Sequence, residues 1–327
     1  MRAIVNTAPG GSDVLELREL PSPNPGSNEI RVAVRASALN RADISQRKGA
    51  YAAPPGAPKD IAGLEYSGEV ESVGEHVTLW KTGDRVMGLV GGGAHAELLC
   101  THEREAISIP ARLTFEQAAA IPEAFLTAYD AVFRQLRLQV GQRLLIHAAG
   151  SGVGTAAIQL ARLAGLKVVG TSRSANKLEK ARPLGLEFGI TASADNWPDR
   201  VLEIFPSGVD AVLDLVGGPY LAGNMKVVTS RGQIVVVGLT AGRQQDIDLG
   251  LLLHKRIHIF GTVLRSRAIE EKISLATEFS SKVLHSFDDG SLVPVIDTVM
   301  SFANVREAHD SMESNDTFGK IVLSWSK

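Results

Sequence analysis

Between Leu144 and Gly170 the spacing of apolar residues changes twice. Leu144-Leu145-Ile146 is a short continuous apolar run, the form of a strand buried on both faces of a parallel sheet. A glycine-rich break follows. Val153, Ala156, Ala157, Leu160, Ala161 and Ala164 then recur at helical spacing. Gly165 stands where that helix should stop, and Lys167 to Val169 opens a second strand. The pattern predicts a βαβ unit.

Upstream, from Met1 to about Thr101, the texture is that of short strands and turns. Glu29 to Val34 alternates, with Ile30, Val32 and Val34 on one face and Arg31 and Arg35 on the other. Further strands are predicted at Gly68 to Val73, Arg85 to Leu89 and Ala94 to Leu99, and their spacing suggests a compact β-barrel-like domain. Between about 110 and 140 a helical stretch opens near Thr114, is interrupted at Pro122 and resumes from Phe125 to Leu136. Beyond the βαβ unit, Val209 to Val216, Gly232 to Leu239 and Ile257 to Val263 read as strands alternating with helices, an α/β doubly wound parallel sheet. A helix is expected from Ala268 to Ser286, another near Val305 to Met312, and a last strand from Lys320 to Leu323. This tail is too small to stand alone and is expected to pack back on the N-terminal domain.

The 327 residues suffice for two domains, and 44% hydrophobic with 21% charged residues is ordinary globular composition. A net charge of −2 offers no bulk attraction to nucleic acid or to an anionic membrane. A single cysteine, Cys100, excludes an intrachain disulfide framework and a cysteine-rich zinc site. Met1 to Asn6 is too short an apolar run for a signal peptide, and no uncharged apolar stretch reaches the roughly 18 residues of a membrane helix. A cytoplasmic protein, soluble throughout, is expected.

The break after Ile146 carries the first candidate chemistry. Glycines let a backbone approach a pyrophosphate, whose charge then rests on N–H groups at a helix N-terminus. The spacing is not a strict G-x-G-x-x-G but is closer to Ala148-x-x-Ser151-x-x-Gly154. A tight turn with no ligand has the same local sequence; the flanking strand, helix and second strand favour a dinucleotide. An acid about 20 residues on would hold a ribose 2′-hydroxyl. Here Thr171-Ser172-Arg173-Ser174-Ala175-Asn176-Lys177 contains none, and its cations and hydroxyls suit a 2′-phosphate. NADPH is therefore preferred to NADH, with Ser172, Arg173, Ser174 and Lys177 as candidate contacts. In such sheets ligands lie beyond the carboxyl ends of the strands, which makes Gly217, Gly238, Leu239 and Val263 candidate neighbours of the nicotinamide half. Plain strand-to-loop punctuation is the alternative at each.

Ser37-Ala38-Leu39-Asn40-Arg41-Ala42-Asp43 with Gln46-Arg47-x-Gly49-x-Tyr51-x-x-Pro54-Pro55-Gly56, Gly63-Leu64-Glu65-x-x-Gly68, Ala118-Ala119-Ala120-Ile121-Pro122-Glu123-Ala124 and Ser151-Gly152-Val153-Gly154-Thr155-Ala156-Ala157 form one series with Gly319-Lys320-Ile321-Val322-Leu323. The series resembles the zinc-free quinone oxidoreductase (zeta-crystallin-like) branch of the medium-chain dehydrogenase/reductase superfamily, over nearly the whole chain. Ser151 and the Leu264-Arg265-Ser266-Arg267 run look most like its tumour-suppressor-inducible quinone reductase subgroup.

That resemblance implies a discontinuous GroES-like catalytic domain, 1–121 and 265–327, and a Rossmann domain, 122–264, with NADPH in the cleft between them. It implies reduction of a quinone or an activated alkene. Carried over residue by residue, Asn40, Tyr51 and Thr127 should lie near nicotinamide and substrate; Ser151, Gly152, Val153 and the adjoining Gly154 belong to the pyrophosphate turn, and Ser174 and Lys177 to the 2′-phosphate. Asn40 and Leu64 stand where zinc-dependent relatives carry Cys and His, so no zinc is expected; Glu65 survives alone. His147, His254 and His258 lack ligand spacing and read as structural. Tyr51 and Asn40 are the choices for steadying or protonating a product oxyanion. The readings carried forward are an NADPH:quinone reductase, an NADPH-dependent reductase of conjugated alkenes (enals, enones or enoyl thioesters) and, outside catalysis, an NADPH-binding redox sensor. The strand Ile257 to Val263 would be an open edge in a monomer, which suggests a homodimer.

Overall fold

The computed structural model describes residues 1–192 and 196–325. The chain divides into two compact units, Met1–Leu126 with Leu264–Lys327, and Thr127–Val263.

In the first unit β1 (Arg2–Asn6) pairs antiparallel with β2 (Leu15–Glu19). β3 (Glu29–Ala38) is followed by α1 (Arg41–Arg47), β4 (Glu65–Val73), β5 (Arg85–Leu89), β6 (Leu98–His102), β7 (Ala106–Ser108), α2 (Phe115–Ala119) and α3 (Pro122–Tyr129). Ile30, Val32 and Val34 are buried with Tyr66, Val70 and Val86, as the alternation predicts. β3 runs on to Ala38 because Ala36 and Ala38 are small enough to pack under Ala119, Ala120 and Val322. The strand expected at Ala94 to Leu99 begins four residues late. The Ala94 and His95 N–H groups are drawn instead to Gly63 O and Ala62 O, both at 3.1 Å. The helical stretch is interrupted just before Pro122, as expected, and resumes at Pro122 itself rather than at Phe125, since the first turn needs no N–H there. The helix expected to Leu136 loosens into a π-helical turn, Asp130–Gln135.

The second unit holds β8 (Arg143–Ile146), α4 (Gly152–Leu163), β9 (Lys167–Ser172), α5 (Ala175–Ala181), β10 (Phe188–Thr191), α6 (Trp197–Ile204), β11 (Val209–Asp214), α7 (Tyr220–Val227), β12 (Val228–Val236), α8 (Leu249–Lys255) and β13 (His258–Gly261). All pairs are parallel, in the order β10-β9-β8-β11-β12-β13, with β13 at an edge. The order reverses direction between β8 and β11, the position at which open α/β sheets take ligands.

The chain then returns to the first unit through α9 (Ile269–Lys282), α10 (His285–Asp288), β14 (Ile296–Ser301), α11 (Val305–Ser314) and β15 (Lys320–Ser324). A single helix was expected over 268–286; it ends at Lys282, and α10 turns Phe287 edge-on to Phe125 at 4.9 Å. β15 lies antiparallel to β3, Val322 opposite Ala38, and parallel to β14. Its sheet reads β14-β15-β3-β4-β5-β7, with β6 also on β3.

Gly154 shows how tightly α4 sits on the turn that precedes it. A Cβ there would lie 2.5 Å from Ala148 O and 2.9 Å from the Ala149 backbone, neither able to move cheaply. Gly154→Ala is expected to cost about 1–3 kcal/mol through overpacking, read as a lower thermal midpoint; an unchanged midpoint would contradict this close approach.

Candidate functional site

The turn between β8 and α4 is built by backbone geometry. Ala148 takes a left-handed φ of 50°. Ser151 N donates to Ala148 O at 2.9 Å, Ser151 Oγ accepts from Gly154 N at 3.0 Å, and Thr155 N donates to Ser151 O at 2.8 Å. Ser151 therefore caps α4, and the first-turn N–H groups without an intrahelical acceptor are those of Gly152 and Val153. Two adjacent N–H donors at the start of a twelve-residue helix fit a pyrophosphate. Ala149 N donates to Thr171 O at 2.9 Å, which holds this turn beside the end of β9. There Ser172 is buried with its Oγ accepting from Ser174 N at 3.2 Å, Arg173 is exposed, and Lys177 lies one turn along α5. These residues are brought together, with no acid among them.

Beyond β11 and β12, Gly217 and Gly238 are also neighbours. A Cβ on Gly217, at φ 68°, would meet the Leu239 side chain at 2.8 Å and Gly238 O at 3.0 Å. Val263 follows the edge strand and is 47% exposed. Asp214 Oδ1 accepts from Val216 N and Gly217 N, both at 2.8 Å, and its Oδ2 accepts from Asn224 Nδ2 at 2.9 Å. Asn224 must then present its oxygen to His147, so His147 Nε2 donates at 2.7 Å and Nδ1 accepts from Thr171 Oγ1 at 2.7 Å. Burial lowers the His147 pKa, consistent with this neutral tautomer. It is a strand-end brace, and His254 and His258 are exposed on the surface.

In the first unit the C-terminal end of β3 carries a second cluster. Asn40 precedes α1, and its N–H donates to Asp43 Oδ2 at 2.7 Å. Its Nδ2 donates to Glu65 Oε1 at 2.9 Å and to Ala38 O at 3.2 Å, while Oδ1 accepts from Lys320 Nζ at 2.6 Å. Lys320, 5% exposed, also donates to Leu39 O at 2.7 Å and pairs with Glu65 Oε1 at 2.6 Å. The second Glu65 oxygen accepts from Glu123 N at 2.7 Å. Burial pushes the Glu65 carboxyl up, while Lys320, Asn40 and the Glu123 N–H oppose it. Tyr51 is half-buried, with the Arg265 guanidinium 4.9 Å from its ring centre. Arg265 is held by Gly91 O at 2.8 Å and Gln46 Oε1 at 2.5 Å. Burial raises the Tyr51 pKa against the pull of Arg265, so the phenol keeps its proton. Thr127, in the second unit, is buried with Oγ1 meeting no partner among the described residues.

The comparisons with known proteins agree with this geometry. Residues 26–111 match the alcohol dehydrogenase GroES-like domain and residues 152–281 the zinc-binding dehydrogenase family. The chain is 34% identical over 318 residues to a quinone oxidoreductase of Pseudomonas aeruginosa, covering 96% of each chain. It belongs to the quinone oxidoreductase-like branch of the medium-chain dehydrogenase/reductase superfamily. A solved relative, the Escherichia coli quinone oxidoreductase complexed with NADPH, superposes with a TM-score of 0.89 at 28% identity, covering 99% of this chain and 100% of that one. The CurK enoyl reductase gives 0.88 at 26% identity and 99% coverage of this chain, 98% of that one. The chain is thus an oxidoreductase with a GroES-like domain and a Rossmann domain. No helix among the described residues is long and apolar enough to cross a membrane.

Within this medium-chain dehydrogenase/reductase, Lys320, Arg265 and Glu123 are the charged residues that sequence reading left without a role, although each sits inside a motif it used. Nothing in their spacing shows that a lysine opening an apolar strand meets Asn40 and Glu65, some 280 and 255 positions earlier. Lys320→Met should leave Glu65 buried without its cation, at a cost of about 3–5 kcal/mol in mildly alkaline buffer. Because uptake of a proton relieves the stranded carboxylate, the deficit should shrink as pH falls toward the carboxylate range. Denaturant unfolding of both chains across that range checks it; a pH-independent deficit would refute the account.

Proposed function

We propose that the chain is a zinc-independent NADPH:quinone oxidoreductase of the tumour-suppressor-inducible subgroup, and that it works as a cytoplasmic homodimer. The observation that carries the reading is the Lys320 ammonium on Asn40 Oδ1 and Glu65 Oε1. A fixed cation sits on the carboxylate of Glu65, beside Asn40, and repels a divalent ion from it. Hydride transfer without a Lewis acid calls for an acceptor that is already electrophilic, which quinones and conjugated alkenes are.

Gly152, Val153 and the Ser151-capped, Gly154-packed turn hold the pyrophosphate of NADPH, and Ser172, Arg173, Ser174 and Lys177 its 2′-phosphate. Gly217, Gly238, Leu239 and Val263 border the nicotinamide half. The cofactor supplies the hydride. Tyr51, its phenol kept neutral by burial and its ring held by Arg265, donates a hydrogen bond to the oxygen that gains charge. Both amide hydrogens of Asn40 are engaged by Ala38 and Glu65, so its part is to hold the Lys320–Glu65 pair in place, and the Thr127 hydroxyl, with no partner among the described residues, is a further candidate donor. A conjugated-alkene reductase would use the same groups, and the fold shared with an enoyl reductase supports that second reading. The exposed edge of β13 supports the dimer.

NADPH oxidation by the purified chain with ortho- and para-quinones, in the presence of chelator, should exceed that with 2-enals or saturated aldehydes; enal turnover that dominates and is lost in Tyr51→Phe would favour the alkene reductase. No oxidation with any acceptor despite NADPH binding would leave the sensor reading. Arg173→Ala should raise the KM for NADPH about tenfold, the value of one charge-assisted contact, with the KM for NADH unchanged. Light scattering should give twice the 34.8 kDa of one chain; a single-chain mass would refute the dimer.

A further inference from the structure

Tyr220 is the first residue of α7, and its ring stacks on that of Trp197, with centroids 5.5 Å apart and planes 16° from parallel. Tyr220 and Gly223 share one face of the helix. A Cβ on Gly223 would come within 2.4 Å of the Trp197 indole, so the missing side chain is what lets Trp197, 5% exposed, settle against α7 beside Tyr220. His147 completes the group, edge-on to Trp197 at 4.7 Å and to Tyr220 at 4.8 Å. With Trp197 and Tyr220 themselves 5.5 Å apart, the centroids form a nearly equilateral triangle, and His147 cannot lie across the Tyr220 ring from Trp197. One face of Tyr220 is therefore backed by Trp197, and the opposite face is covered by neither ring. The residue is only half-buried.

Its place in the sheet limits what that face can take. His147 follows the last residue of β8 and is bonded to Thr171 of β9 at 2.7 Å, while Tyr220 follows β11. The ring thus stands between β8 and β11, where the strand order reverses. Trp197 opens α6, which follows β10, so the backing comes from the β9–β10 side of the sheet. That is the side of the acid-free Ser172-Arg173-Ser174 end; Gly238, Leu239 and Val263 lie on the other. Burial raises the Tyr220 phenol and Arg173 opposes it, which leaves the ring neutral with that cation among the charges that reach it.

We propose that Tyr220 is the adenine platform of the cofactor site: the adenine ring of NADPH stacks on the Tyr220 face turned away from Trp197. The inference rests on the NADPH reading. A purine presents a flat π-face that an aromatic side chain takes without reading its edges. A ring already ordered by Trp197 and His147 loses little freedom in forming that stack. The base is common to NADPH and NADH, so Tyr220 adds affinity without choosing between them.

Titration calorimetry of the whole chain with adenosine 2′,5′-bisphosphate, the adenosine half of NADPH without its nicotinamide, tests the stack without turnover. Tyr220→Leu, which keeps Trp197 covered, should raise the Kd about fivefold for the bisphosphate and for NADPH alike. Tyr220→Phe, which keeps the ring, should match wild type. By NMR the adenine H2 and H8 resonances of the bisphosphate should move upfield on binding to wild type and to Tyr220→Phe, as protons over an aromatic face do, and that shift should be lost in Tyr220→Leu. Equal Kd values for wild type and Tyr220→Leu, or a weakening confined to NADPH, would overturn the proposal and leave the cofactor reading standing. So would the absence of the upfield shift in the wild-type chain, a result that decides the matter even where Tyr220→Leu does not fold. A wild-type chain that binds neither NADPH nor the bisphosphate would overturn the cofactor reading itself, and the stack with it.

Discussion

Lys320 donates to three oxygens, those of Leu39, Asn40 and Glu65, and the order of the first unit's polar centre follows from that contact. A buried ammonium is costly unless its donors are all used, and here each is. Because Asn40 must accept from Lys320, its amide nitrogen must face Glu65 and Ala38. Because one Glu65 oxygen is filled by Lys320 and Asn40, the other is left for Glu123 N, which fixes where α3 begins. A single ion pair between β15 and β4 thus sets an amide's orientation and a helix start.

The second unit solves the opposite problem. The sheet end proposed to hold phosphate needs free N–H groups and no negative charge, yet Asp214 stands at the end of β11. The carboxylate is absorbed locally, by two backbone N–H groups and the Asn224 amide. The bonds then run through His147 to Thr171, whose carbonyl holds Ala149 in the glycine turn. A neutral histidine suits this place, since a second charge beneath the turn would need its own partner in a site where Trp197 and Tyr220 stand edge-on to the ring. The brace ties three neighbouring strand ends, β9, β8 and β11, without adding charge to them.

Periodicity and turn chemistry are local properties, so the elements that depend on them were legible in the chain. The βαβ unit, the face of β3 that Ile30, Val32 and Val34 bury, and β5 stand where the pattern predicts them. Where tertiary partners compete, boundaries moved. Residues 94–97 answer to Gly63, Ala62 and the N-terminal strand rather than to their own alternation, and the helix that follows the break at Pro122 resumes at the proline itself rather than at Phe125.

The sequence by itself determined the fold class, the glycine turn, the acid-free end of β9 and the presence of Asn40 and Tyr51 within one short stretch, because each of these is written in neighbouring residues. The tertiary structure alone decided what those groups can do. Lys320 against Asn40 and Glu65, Arg265 on Tyr51, and the Glu123 N–H on Glu65 join residues far apart in the chain. Charge and proton occupancy depend on distance and burial, which spacing along the chain does not measure.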